Sequence, residues 1–288
     1  MVDWIWKDSH MPRMQVHEKK GVIYLGFQAL EETGLVTHGF TTRWGGVSRG
    51  IFSSMNLSFT RGDDPESVRE NYHRIADAVG FSCDSIVCTD QTHTTNIRVA
   101  SEEDRGKGLT KEKDYRDIDG LITNVPGLVL TTFYADCVPL YFLDPRKKAI
   151  GLSHSGWRGT VNKMGKATVE AMTREYGTDP KDIIAAIGPS ICQDCYEVSG
   201  DVADAFKRAF PRETHSGMIQ DKKNGKYQLN LWKANELVMR EAGIPEKNIS
   251  LPNLCTCCNP RHLFSHRASK GKRGNLAAFL QLRDNSQF

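Results

Sequence analysis

The sequence has no apolar run long enough to cross a bilayer as a helix; the nearest, residues 127–143, carries Asp136 near its middle. The N-terminal segment lacks the apolar stretch of a secretory signal, so the expectation is a cytoplasmic protein without membrane contact. An excess of one charge is missing too. The 288 residues hold 38 Lys and Arg against 35 Asp and Glu, a net of +3, which argues against a protein that coats nucleic acid. Internal repeats, low-complexity tracts and long Pro, Gly or Ser linkers are also missing, and a single domain over residues 1–288 is expected.

What is there is an alternation of short apolar runs and turn residues. Residues 21–27, 35–42, 85–89, 96–99, 121–123, 128–133, 138–143, 149–153, 182–187, 249–251 and 276–282 read as strands. Helices are expected at 64–79, opened by Asp64 and Pro65, and at 160–176, 199–210 and 231–242. Residues 101–117 are densely charged and read as a solvated loop. Several strands follow one another directly, which favours an α+β fold with mixed sheets over a doubly wound one.

Eight cysteines without a secretory signal point to metal binding, catalysis or burial rather than a disulfide framework. Cys83 and Cys88 read as core thiols. His93, Cys137 and His154 each stand at or near the edge of an expected strand. Two imidazoles and one thiolate suit Zn²⁺, and three protein ligands leave a fourth position open. Taken singly, each histidine also reads as a hydrogen-bonded structural residue and Cys137 as a buried thiol.

The residues around these three resemble those of the YlmD/YfiH family of bacterial laccase-domain proteins. Gln91-Thr92-His93, Asp136-Cys137-Val138-Pro139 and His154-Ser155-Gly156-Trp157-Arg158-Gly159 are similar to the family's Q-V-H-G, A-D-C-x-P and H-A-G-W-R-G. Similar wording continues at 41–48, 55–57, 119–123, 188–191, 196–198 and 264–267, so the resemblance spans about residues 35–282 in order. The Cys192/Cys195 and Cys255/Cys257 pairs make it look nearest the YlmD branch. The resemblance implies a four-layer α/β/β/α arrangement and a zinc site at His93, Cys137 and His154. It also implies phosphorolysis of adenosine, inosine and methylthioadenosine, with adenosine deamination beside it. An older family label, copper-dependent polyphenol oxidase, leaves Cu²⁺ open, because thiolate and imidazole also take copper. The implied partners are purine nucleosides and phosphate, with no nucleic acid, in a monomer or homodimer.

Other residues are candidates on chemical grounds. Arg43 beside Gly45 and Gly46 could meet phosphate, as could Arg158 ahead of a helix. Asn56 could hydrogen-bond substrate, and Glu197 could act as an acid or base. His266 and Arg267 fall in a family motif. Asp136 could move protons beside Cys137, although strand alternation points its side chain away. The chain departs from the family's T-G-R ending with Lys272-Arg273-Gly274-Asn275. The pairs Cys192/Cys195 and Cys255/Cys257/Cys258 read first as buried thiols, with a disulfide or a second, structural zinc as alternatives. The rivals to a phosphorylase are a copper polyphenol oxidase, a cysteine hydrolase using Cys137 and His154, and a non-enzymatic metal-binding protein.

Overall fold

The computed structural model describes residues 3–12 and 14–284; Met1 and Val2, at the head of the segment read as lacking a signal, lie outside the described residues. Two six-stranded mixed sheets face each other. The first has the order β1 (Gln15–Lys19), β2 (Val22–Gly26), β3 (Val36–Thr41), β15 (Leu276–Leu282), β7 (Val129–Tyr134), β4 (Ile86–Cys88). The second has the order β14 (Ile249–Ser250), β10 (Ile184–Ile187), β8 (Val138–Asp144), β9 (Ala149–Ser155), β6 (Gly120–Thr123), β5 (Ile97–Val99). A small third sheet joins β11 (Glu197–Ser199), β13 (Lys226–Leu229) and β12 (Ile219–Asp221).

The two-residue period of a strand sorts the apolar side chains into three cores. On β15, Leu276, Ala278, Leu280 and Leu282 face the second sheet, whereas Ala277 and Phe279 face outward onto α2 (Pro65–Val79). On β8, Tyr141 and Leu143 join the inter-sheet core, whereas Val138, Leu140 and Phe142 turn to the other side. There they meet α4 (Met164–Tyr176), α5 (Gly200–Ala209) and α6 (Leu231–Glu241). The result is the α/β/β/α layering. A sheet buried on both faces explains why these strands read as near-continuous apolar runs.

Three readings are corrected. The expected helix at 160–176 is two helices, α3 (Trp157–Val161) and α4, because Lys163 takes a left-handed conformation, φ 64°, between them. Residues 101–117 are not simply solvated: Asp104 is buried between Arg98 and Lys107, at 2.7 and 2.8 Å. Strands β1, β12 and β13 had no signal, since they are short and polar and, of their residues, Leu229 alone is buried. Among the described residues no helix is long and apolar enough to cross a membrane.

Candidate active site

The site forms where the chain passes between the sheets. β4 lies at an edge of the first sheet and β5 at an edge of the second; the loop between them carries His93. β7 belongs to the first and β8 to the second, and the link between them carries Asp136 and Cys137. β9 returns antiparallel beside β8, in a register that sets His154 opposite Pro139. Both crossing loops turn sharply, with φ of 68° at His93 and 89° at Asp136. Such backbone costs a non-glycine residue about 1–3 kcal/mol and gathers at functional positions.

One ligand atom from each of His93, Cys137 and His154 lies within 4.8 Å of the other two. His154 is buried, Cys137 half-buried and His93 exposed toward a cavity. Buried Asp119 organises them. Its Oδ1 accepts hydrogen bonds from His154 Nδ1 at 2.8 Å and from the His93 backbone N–H at 3.1 Å. Its Oδ2 accepts from the N–H groups of Thr92 and Thr94, at 3.0 and 2.9 Å. With Nδ1 engaged, Nε2 is the His154 nitrogen left for the cluster, the usual second tier of a metal-binding imidazole. Gln91 braces the same loop: its amide donates to the Phe133 carbonyl and accepts from the Phe133 N–H, at 2.9 and 2.6 Å. Gly156 leaves the space, since a Cβ there would stand 2.9 Å from His93 Cδ2 and 3.1 Å from Cys137 Sγ.

The electrostatics favour a thiolate. Burial pushes the Cys137 thiol up, but His154 and His93 outweigh it and bring it down to about 6. Burial pushes His154 down, and Cys137 and Asp119 raise it to about 9. Two imidazoles and a thiolate this close, with room for a further ligand from the cavity, fit a divalent cation such as zinc or copper.

The cluster closes one end of a cavity of about 560 Å³, the size of a small-molecule pocket. Phe59, Tyr72 and Phe133 supply aromatic wall, and Arg61, Lys113 and Arg273 bring cations. Lys113 is spoken for by Asp90 and the Thr89 carbonyl, at 2.6 and 3.0 Å. Arg61 has no carboxylate partner among the described residues; Arg273 donates from Nη1 to the Gly274 carbonyl at 3.2 Å and to Asn275 Oδ1, and its buried Nε has no partner. Burial and the neighbouring Arg61 pull Arg273 down to about 10. Two guanidiniums facing one cavity without an acid between them make a receptor for an anion.

Several sequence candidates are placed elsewhere. Arg43 does not line the cavity: it donates to the carbonyls of Ser53 and Pro260, both at 2.8 Å, and lies over the Phe264 ring. The adjacent Gly46 serves close packing, as its Cβ would fall 2.1 Å from the Ser54 carbonyl oxygen. Arg158 lies over the Trp157 ring. Asn56 is fully buried behind the cavity wall, bonding Asp63 at 2.9 Å and the N–H groups of Ser58 and Asn275 at 3.1 and 2.9 Å. Glu197 pairs with Lys222 on the small third sheet, away from the cavity. Arg267 spends its guanidinium on the carbonyls of Cys195 and Glu197, at 3.1 and 2.9 Å, and His266 stands exposed at the start of α7 (His266–Ser269). Asp136 lies in the turn between β7 and β8 rather than on a strand, so strand alternation does not set its side chain; its partners do. Its carboxylate accepts from Thr256 Oγ1 and from the Arg267 N–H, both at 2.7 Å, which makes it an anchor for the site's rear wall.

Sequence reasoning missed Asp119, Arg61 and Arg273 as site residues. Asp119 had a signal, since it opens the family-like segment 119–123. Arg273 lies in the departure from T-G-R, and Arg61 carried no signal.

This geometry has relatives. A family profile described as multi-copper polyphenol oxidoreductase laccase matches residues 37–283. Purine nucleoside phosphorylase YlmD of Bacillus subtilis is 38% identical over 250 residues, 86% of this chain and 89% of that one. A protein named adenosine deaminase RL5, from an unknown prokaryotic organism, is 36% identical over 228 residues, 79% of this chain and 86% of that one. The crystal structure of YlmD from Geobacillus stearothermophilus superposes with a TM-score of 0.87 at 34% identity, covering 95% of this chain and all of that one (100%). The chain therefore belongs to the laccase-domain family of YlmD and YfiH proteins.

Proposed function

We propose that the protein is a zinc-dependent purine nucleoside phosphorylase that also deaminates adenosine. One observation carries the reading: the His93, Cys137 and His154 cluster opens into a cavity that also presents Arg61 and Arg273 without acidic partners. Relatives named as phosphorylases and one named as a deaminase support it. His93, Cys137 and His154 would hold zinc, which supplies Lewis-acid activation of an oxygen nucleophile. Arg61 and Arg273 bind phosphate and orient one of its oxygens toward ribose C1′. The glycosidic C–N bond breaks as the C–O bond to phosphate forms, and one proton of dihydrogen phosphate passes to the departing purine nitrogen, giving free base and ribose 1-phosphate. Phe59 and Phe133 offer apolar surface to the purine. Asp119 keeps His154 in one tautomer and orientation throughout.

The ligand count also bears on the copper oxidase reading. Among the described residues, the two groups of side chains placed to hold a metal contain two imidazoles between them, His93 and His154. A trinuclear copper centre needs more. The Cys137–His154–Asp119 arrangement specifically favours one second reading, a cysteine hydrolase with a thiolate nucleophile.

Product analysis separates the readings. Zinc-loaded protein incubated with adenosine and phosphate is expected to release adenine and ribose 1-phosphate, and inosine where deamination competes. His93→Ala is expected to lose both activities. Activity that survives complete metal removal, with Cys137 covalently trapped by an electrophilic substrate analogue, would establish the hydrolase instead.

A further inference from the structure

A second cluster lies behind the cavity, on loops that the reaction does not use. Cys192 and Cys195 flank a short turn after β10, and Cys255 and Cys258 flank another after β14. The sequence reading took these first for buried thiols, with a disulfide or a second, structural zinc as alternatives, and left open which of Cys255, Cys257 and Cys258 belong together. The fold makes the selection. Ser190 and Cys255 form a parallel bridge that lays the two loops side by side, so each contributes a C-x₂-C pair and Cys257 is left out. The Sγ atoms of Cys192, Cys195, Cys255 and Cys258 all lie within 4.8 Å of one another.

We infer that these four cysteines form a second metal site, a closed tetrathiolate centre that takes zinc and has a structural role. The distances fit. Zn–S bonds of about 2.3 Å in a tetrahedron put sulfurs about 3.8 Å apart. Here Cys195 and Cys258 are 3.5 Å apart and Cys192 and Cys258 4.0 Å. Both separations are far beyond a disulfide bond of about 2.05 Å, and all eight cysteines are free thiols.

The surroundings suit thiolates. The backbone N–H groups of Cys192 and Cys258 both point at Cys255 Sγ, at 3.2 and 3.4 Å, as N–H donors do around a bound sulfur anion. Lys7 bonds Asp194 at 2.7 Å, within the first pair, and places a cation beside a cluster whose four thiolates exceed the charge of one divalent ion. The two loops already run side by side, joined by the Ser190–Cys255 bridge and by the Thr256 N–H, which donates to the Ser190 carbonyl at 3.2 Å, and the N-terminal segment packs on through Trp6 and Leu254. A metal held by both C-x₂-C pairs would cross-link loops that the fold has already brought into register.

The position ties the two sites together. Thr256, between Cys255 and Cys258, donates to Asp136, the neighbour of Cys137. Arg267 holds the Cys195 carbonyl and donates its own N–H to the same Asp136. The tetrathiolate centre would thus fix the wall against which the Cys137 turn is built. With four protein ligands it has no open position and takes no part in the chemistry.

The test is metal stoichiometry on the full chain, purified with zinc and freed of loosely bound ion. Wild type is expected to hold two equivalents, His93→Ala one, Cys258→Ser one, and the double variant none. One equivalent in wild type that Cys258→Ser leaves in place would overturn the inference. If Cys258→Ser fails to fold, cobalt-loaded His93→Ala decides: its remaining metal must show the intense sulfur-to-cobalt charge transfer of a tetrathiolate site. A spectrum without it, or an intact mass short of the hydrogens lost to a disulfide, would overturn the inference as well.

Discussion

Asp119 accepts hydrogen bonds from His154 and from the backbone of the loop carrying His93, so its carboxylate holds two of the three ligands at once. Asp119→Asn puts a donor where only acceptors fit. Zinc affinity at the first site is expected to fall about 10- to 100-fold with the fold retained, measured by competition with a chromophoric chelator. Unchanged affinity would mean that the carboxylate does not orient the ligands. Arg273 tests the anion site. A lost charged hydrogen bond costs about 1.5–3 kcal/mol, so Arg273→Ala should raise KM for phosphate about 10- to 100-fold and leave KM for nucleoside nearly unchanged. Arg43→Ala should leave both unchanged, because its guanidinium serves carbonyl groups outside the cavity. A phosphate KM that responds to Arg43 rather than Arg273 would reverse the assignment. At this scale the sequence was an uneven guide. His93, Cys137 and His154 were legible because each sits in a distinctive local motif. Arg61 and Arg273 were not, because an arginine's role depends on which partners the fold leaves it, and those partners are distant in sequence.

Elements were more legible than side chains, because their signals are local. Helix α2 shows why. Asp64 and Pro65 open it, Asp64 Oδ2 accepts from the Ser67 N–H at 3.0 Å, and Gly80 closes it in a left-handed conformation, φ 98°. The sequence boundaries and the structural ones agree there. Asp64→Ala is expected to lower stability by removing the cap, read as a lower denaturant midpoint without a change in activity at saturating substrate. No shift would show that other bonds satisfy the first turn. The helix expected at 160–176 failed for a local reason that leaves no periodic trace: one lysine in a left-handed conformation breaks the hydrogen-bond ladder while the apolar spacing continues across it. The small third sheet was invisible because its strands lack an alternating buried face.

For the molecule as a whole, the inter-sheet core sets a pH limit on stability. His38 on β3 is buried there, and its Nε2 accepts from the Phe27 N–H at 2.8 Å. Burial pushes the imidazole down to about 3, against about 6.5 in an unfolded chain. Between those values the unfolded state binds one more proton than the folded one, so this contribution is present at neutral pH and lost as pH falls. The slope approaches about 1.4 kcal/mol per pH unit well below 6.5. His38→Gln keeps an acceptor and removes the titration. Its unfolding free energy relative to wild type should therefore improve steadily from about pH 7 to about pH 5. A constant difference would mean that His38 titrates alike in both states. The sequence by itself determined the two-faced strands, the order of the elements and the three ligand motifs, because alternation and turn chemistry act between near neighbours. Only the tertiary structure decided that Arg273 rather than Arg43 lines the cavity, that Asp119 bonds both His154 and the His93 loop, and that Cys258 rather than Cys257 joins the cysteine cluster. Each of those outcomes depends on crossings between sheets and on a bridge between distant loops, which no local pattern encodes.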